Sequence, residues 1–184
     1  MKIYFTASAR GKKELGDNYR AIYEVISELG HRHVDDLIMK VDSESFYQGS
    51  HKDQVALYDK AMKLISLCDI MVLEVSVHSL SMGFVMQKAL ESGKPVIALY
   101  LPNCMPYFAL GIVNDKLQVT EYTKGDLKQV LKLALEYAVG LRGTRFTLIL
   151  DGKVRSKLDK VAEKGQSRSD YIRSLIFADT KRSL

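Results

Sequence analysis

Apolar positions in the first 140 residues change period again and again. Lys2 to Ala7 reads as a strand. Tyr19, Ile22, Tyr23, Ile26 and Leu29 then mark one face of a helix that stops at Gly30. Val34 to Met39 is expected as a second strand, and the polar residues 40–50, with Ser43, Ser45, Gly49 and Ser50, as a mobile loop. A helix follows from Asp53 to Leu67. Asp69 to Val75 is nearly all apolar, as a strand covered on both faces should be. A helix from Ser79 to Ser92 leads through Gly93-Lys94 to a strand at Pro95–Leu101. Lys116 to Glu121 is the last strand, and Asp126 to Val139 the last helix, with Leu127, Val130, Leu131 and Ala134 facing in. Repeated strand–helix units predict an α/β domain over residues 1–139, with a parallel sheet and helices on both faces.

A different pattern begins after the short linker 140–143. Arg145 to Leu150 alternates like a strand, and Asp151-Gly152 ends it. Val154, Leu158 and Val161 then form a helical stripe. Gly165 stops that helix, and Ser167-Arg168-Ser169-Asp170 opens another that carries Ile172, Leu175 and Ile176. One strand and two short helices cannot enclose a core, and the strand has no partner within its own segment. Residues 144–184 therefore read as half of an intertwined homodimer whose paired strands form a two-stranded ribbon. Such a ribbon can enter the DNA major groove.

Charge follows the same division. Of 27 Lys+Arg and 22 Asp+Glu, residues 141–184 hold 11 basic and 5 acidic, so the positive potential belongs to the tail. A solvated basic face is the plainer explanation of that charge. No apolar run approaches the roughly 20 residues of a membrane span. The start, Met1-Lys2-Ile3-Tyr4-Phe5, lacks the form of a secretory signal. Cys68 and Cys104 form no metal spacing and suit a reducing cytosol. His31, His33, His51 and His78 show no ligand grouping, so neither a metal nor a cofactor is expected.

Ligands in open α/β sheets sit outside the carboxyl ends of the strands. Thr6-Ala7-Ser8-Ala9-Arg10-Gly11 and Ser76-Val77-His78-Ser79-Leu80-Ser81-Met82-Gly83 fall there, and both place small and hydroxyl residues before a helix. Free N–H groups, serine hydroxyls and a guanidinium together can hold a phosphate. Neither segment is a Walker loop or a G-x-G-x-x-G fingerprint, and ordinary strand-to-helix turns explain each equally well.

Two family resemblances sharpen these readings. Thr144 to about Ile176, with its Leu150-Asp151 strand end and Gly165-Gln166-Ser167-Arg168-Ser169, resembles the ribbon-helix-helix DNA-binding proteins. That resemblance implies that Arg145, Thr147 and Ile149 face base edges. Ser167, Arg168 and Ser169 would meet a phosphate at a helix start. Ile149 departs from the family, which often has a polar or basic reader there. Residues 1–139 resemble the nucleoside 2-deoxyribosyltransferases, and most their branch of 2′-deoxynucleoside 5′-phosphate N-hydrolases. The matching stretches are Tyr4 to Gly11, Cys68 to Ser76, Ser79, Gly83, and Gly93-Lys94-Pro95-Val96. The likeness implies a flavodoxin-like or Rossmann-like sheet. It also implies a 5′-phosphate among Ser8, Arg10, Gly11 and Ser79, with Tyr4 on the sugar or base side.

The catalytic residues of that family find no match. Its nucleophilic Glu falls on Val85, and its supporting Asp on Ala61, with Asp59 two residues away. Glu91 is six residues past Val85, on a nearly opposite helix face. Such a domain fused to a DNA-binding module leads to the expectation of a transcriptional regulator on double-stranded operator DNA. Its catalytically silent sensor domain would take a nucleotide or another phosphorylated small molecule. It would be cytoplasmic and dimeric, with two dimerising surfaces that allow tetramers. The alternative is an active deoxyribosyltransferase or deoxynucleoside 5′-monophosphate N-glycosidase. A third reading makes the α/β domain purely an oligomerising element.

Overall fold

The computed structural model describes residues 1–42, 46–140 and 150–163, together with residues 168, 171, 172, 174–176 and 179. The chain forms two compact units, Met1–Thr144 and Arg145–Leu184. In the first, strand β1 (Lys2–Ala7) is followed by a 3-10 turn at Ala9–Gly11 and helix α1 (Lys12–Glu28). Next come β2 (Arg32–His33), α2 (Leu37–Lys40), a 3-10 turn at Phe46–Gln48, α3 (His51–Leu67) and β3 (Ile70–Glu74). The unit closes with α4 (Leu80–Glu91), β4 (Val96–Tyr100), α5 (Tyr107–Leu110), β5 (Leu117–Glu121) and α6 (Leu127–Gly140).

All pairings in the sheet are parallel, in the order β2-β1-β3-β4-β5. Every residue of β3 and β4 is buried, because helices cover both faces. Alternation divides the side chains into two layers. Ile3, Phe5, Ile70, Val72, Ile97 and Leu99 pack with Tyr19, Ile22 and Ile26 of α1 and with Leu131 and Leu135 of α6. Tyr4, Met71, Leu73, Val96 and Ala98 pack with Leu64 and Ile65 of α3 and with Val85, Met86 and Ala89 of α4. The α/β expectation, with a parallel sheet between helical layers, is met.

Several boundaries differ from the sequence reading. The strand expected at Val34–Met39 is instead a two-residue edge strand at Arg32–His33, followed by α2. The Asp35 carboxylate accepts the Leu37 N–H at 2.8 Å and turns the chain into that helix. Helix α3 starts two residues earlier than expected, because Ser50 and Asp53 form a reciprocal capping box ahead of it. Gly30 and Gly93 take φ of +80° and +74° just past α1 and α4, a conformation that favours glycine. Gly140 ends α6 rather than opening a linker.

In the second unit, α7 spans Gly152–Glu163. Asp151 caps it, its Oδ1 accepting from Lys153 N and Val154 N at 2.9 Å each. Leu158 is buried, whereas Val154 is 43% exposed. The strand expected at Arg145–Leu150 lies, up to Ile149, outside the described residues, so Arg145, Thr147 and Ile149 have no structural account here, nor do Ser167 and Ser169. Arg168 forms an ion pair with Asp159, N···O 2.9 Å. A ribbon-helix-helix module is not shown.

Candidate active site

The sheet order puts a topological switch between β1 and β3, whose following segments diverge to opposite sides and leave a crevice at their carboxyl ends. A cavity of about 450 Å³ opens there. Tyr4, Thr6 and Ser8, three alternate positions of β1 and its exit, form its floor. Gln54, Leu57, Tyr58 and Ala61 of α3, at i, i+3, i+4 and i+7, form one wall. Ser79, Ser81, Phe84 and Val85 bring the start of α4 to the other wall, and Leu37, Ile38 and Val41 close a third side. Lys12 secures that third side, its Nζ donating to the Met39 carbonyl at 2.8 Å and to the Val41 carbonyl.

Most of the lining is apolar, and its polar groups are hydroxyls and one amide. Ser8 is 1% exposed and its Oγ has no partner among the described residues, an arrangement costly for a buried hydroxyl unless a ligand completes it. Ser79 stands at the N-cap of α4 with extended backbone and makes no side-chain cap bond. The first N–H groups of α4 therefore lack that side-chain acceptor. Burial pushes the Tyr4 hydroxyl up to about 12, against a hydrogen bond from Thr6, so it is a neutral hydroxyl at physiological pH. The Tyr58 and Phe84 rings, both on the cavity lining, lie 5.9 Å apart and tilted at 43°.

The remaining sequence-chosen residues fall elsewhere. Arg10 is exposed and does not line the cavity. Gly11 is buried, and a Cβ on it would meet Tyr19 Oη at 2.3 Å and Val77 Cγ2 at 2.8 Å, so glycine is required there for packing. Gln54, Leu57, Tyr58 and Phe46 were missed as lining, although the α3 spacing was visible in the sequence.

Val85 and Ala61, where the family resemblance puts carboxylates, both line the cavity. Asp59 does not, and is exposed. Asp35, close enough to Tyr4 to help raise its pKa, is engaged by Lys60 at 2.7 Å and by Leu37 N. Glu91 is exposed and pairs with Lys88 at 2.8 Å. Glu74 faces the opposite layer, where it accepts from Ser76 and from Tyr122 Oη. Among the described residues no carboxylate lines the cavity, and no cluster of three His, Cys, Asp or Glu side chains suits a metal. Nor is any helix among them long and apolar enough to cross a membrane.

A parallel sheet in the order 2-1-3-4-5, with a mostly apolar cavity that carries several hydroxyls at its switch point, defines an α/β domain with a candidate small-molecule site. A protein of Thermofilum pendens, provisionally named 2′-deoxynucleoside 5′-phosphate N-hydrolase 1, is 32% identical over 105 residues, 55% of this chain and 68% of the relative. A protein of the same provisional name from Syntrophotalea carbinolica is 30% identical over 145 residues, covering 72% of this chain and 92% of that one. The chain belongs to the 2′-deoxynucleoside 5′-phosphate N-hydrolase family. The solved structure of the Clostridium botulinum CMP N-glycosidase BcmB shares the fold, with a TM-score of 0.53 at 17% identity over 72% of this chain and 98% of that one. No protein-family model matches the chain.

These relatives correct the expectation of a DNA-binding transcriptional regulator with a silent sensor domain. The proteins that match the α/β domain are named for cleaving N-glycosidic bonds, not for binding operators.

Proposed function

We propose that this chain takes a 2′-deoxynucleoside 5′-monophosphate as substrate and hydrolyses its N-glycosidic bond, releasing the free base and 2-deoxyribose 5-phosphate. The observation that carries this reading is the buried Ser8 Oγ, without a partner among the described residues, which lines the switch-point cavity together with Ser79 at the start of α4. Serine hydroxyls and the first N–H groups of a helix suit a phosphate dianion. In this reading Ser8 and Ser79 hold the phosphate, and Tyr4 and Thr6 meet the sugar. The base lies against Tyr58 and Phe84. Arg10 supplies positive charge from outside the cavity, and Gly11 acts through packing.

The family's covalent route needs a carboxylate at the anomeric carbon, and valine has no lone pair to offer. We assign direct hydrolysis instead. The C1′–N bond breaks with its electron pair going to the base. Water oxygen bonds to C1′ while the sugar carries oxocarbenium character, and the water's proton leaves with the base. Positioning and exclusion of bulk water supply the rate enhancement. Turnover is accordingly about 10³-fold or more below that of a relative with the carboxylate.

The α7 face supports a further role for the second unit as a pairing element between two copies, in the manner of a ribbon-helix-helix dimer. Val154, the first apolar residue of the α7 stripe, is 43% exposed, more than an apolar helical face should leave to water.

Incubation of the full chain with each deoxynucleoside 5′-monophosphate, with chromatographic detection of free base, tests the function. Slow release of base above the uncatalysed rate, with calorimetric binding of the monophosphate, is the expected result. Absence of both sinks it.

A further inference from the structure

The layer opposite the cavity holds a closed polar network that the hydrolysis itself does not use. Glu74, the last residue of β3, is fully buried. Its Oε1 accepts from Ser76 N at 3.3 Å, from Ser76 Oγ, and from Tyr122 Oη at 3.4 Å. Ser76 Oγ in turn accepts the Leu101 N–H at 2.8 Å, so its single proton is directed to the carboxylate. Tyr122 is also hydrogen-bonded to Asn18 of α1. The neighbouring residue, Tyr19, donates to the Ser8 carbonyl at 3.2 Å. Gly11 and Val77 pack against each other beside Tyr19 Oη, which joins the segment after β1 to the segment after β3.

One carboxylate thus ties together the exits of β3, β4 and β5 and fixes the start of the segment that delivers Ser79 to the cavity. Burying it is expensive, since Oε2 has no partner among the described residues. Its place at the head of the Ser76–Ser79 segment, bonded to Ser76, points to a task beyond stability. We propose that Glu74 is a positioning residue for the 5′-phosphate cradle, setting Ser79 and the start of α4 through Ser76 from the far side of the sheet. This rests on the function proposed above.

The test compares calorimetric affinity for a deoxynucleoside 5′-monophosphate with that for the same nucleoside lacking phosphate, using the full chain. The wild type binds the monophosphate more tightly. Glu74→Ala and Ser76→Ala each reduce that preference about tenfold, equivalent to 1.4 kcal/mol, while nucleoside affinity is unchanged. Glu74→Gln, which keeps an acceptor at Oε1, retains it. Should Glu74→Ala fail to fold, Ser76→Ala alone carries the comparison. A merely structural role would lower the melting temperature and leave the preference intact, which overturns the inference and spares the function. A wild type that makes no distinction between the two ligands overturns both.

Discussion

Glu74 and Val85 lie on opposite sides of the same sheet. The Glu74 carboxylate meets Tyr122 in the α1/α6 layer, and the Val85 side chain lines the cavity in the α3/α4 layer. No rotation of the Glu74 side chain carries it into the cavity, because successive strand residues alternate in direction and Glu74 points to the other face. Glu74 therefore cannot stand in for an absent nucleophile.

Restoring a carboxylate at the cavity wall follows from that geometry. Val85→Glu is expected to raise base release from a deoxynucleoside 5′-monophosphate by about 10²-fold or more. Val85→Gln, similar in size and without a nucleophilic oxyanion, gives no gain. Val85 is 8% exposed, so the new charge also lowers the melting temperature. Measured kcat for the two variants checks this, and equal rates for both would refute a nucleophile position at residue 85.

Ser8 invites a trade between stability and binding. Its buried Oγ has no partner among the described residues, and deleting such a hydroxyl removes a desolvation penalty of about 1–3 kcal/mol. Ser8→Ala is thus expected to hold or raise the melting temperature while weakening monophosphate affinity about tenfold. Thermal denaturation and calorimetry on one preparation read both. Undiminished affinity would remove Ser8 from the cradle.

Acid and neutral stability should differ in a way traceable to Glu74. Burial raises its pKa above the ordinary glutamate value, more than its bonds from Ser76 and Tyr122 lower it. A carboxyl with a raised folded pKa favours folding below its unfolded pKa, and that contribution fades as pH rises through the folded value. Glu74→Gln does not ionise. Relative to wild type it gains melting temperature as pH rises from about 4.5, the unfolded reference, toward neutrality. A difference in melting temperature that stays flat between pH 4 and 8 would contradict it.

Much of the first unit was legible because its signals are long and local. Lys2–Ala7 is read and observed with the same ends. The apolar runs of β3 and β4 leave no other assignment once helices flank them. Val34–Met39 misled because its apolar residues suit either period, and one hydrogen bond from Leu37 N to Asp35 decides for a helical turn. Ser8 on the floor of the cavity and Ser79 on its wall were visible, since hydroxyls after a strand are conspicuous. Its α3 wall was not, because Gln54, Leu57, Tyr58 and Ala61 look like the inner face of any amphipathic helix. Nor could the sequence tell which layer Glu74 joins. In a strand buried on both sides, no polar alternation separates the two faces. The function drawn from the tail went astray for another reason. A short motif outweighed the longer likeness of residues 1–139, which is the part the relatives share.

Asn18 and Tyr19 occupy a single helical turn, and through them α1 reaches the exits of β1, β3 and β5 at once. Substitutions on the cavity wall leave every one of these bonds untouched. In the function proposed here, a carboxylate at residue 85 can therefore be gained or lost while the scaffold behind the phosphate cradle keeps its bonds.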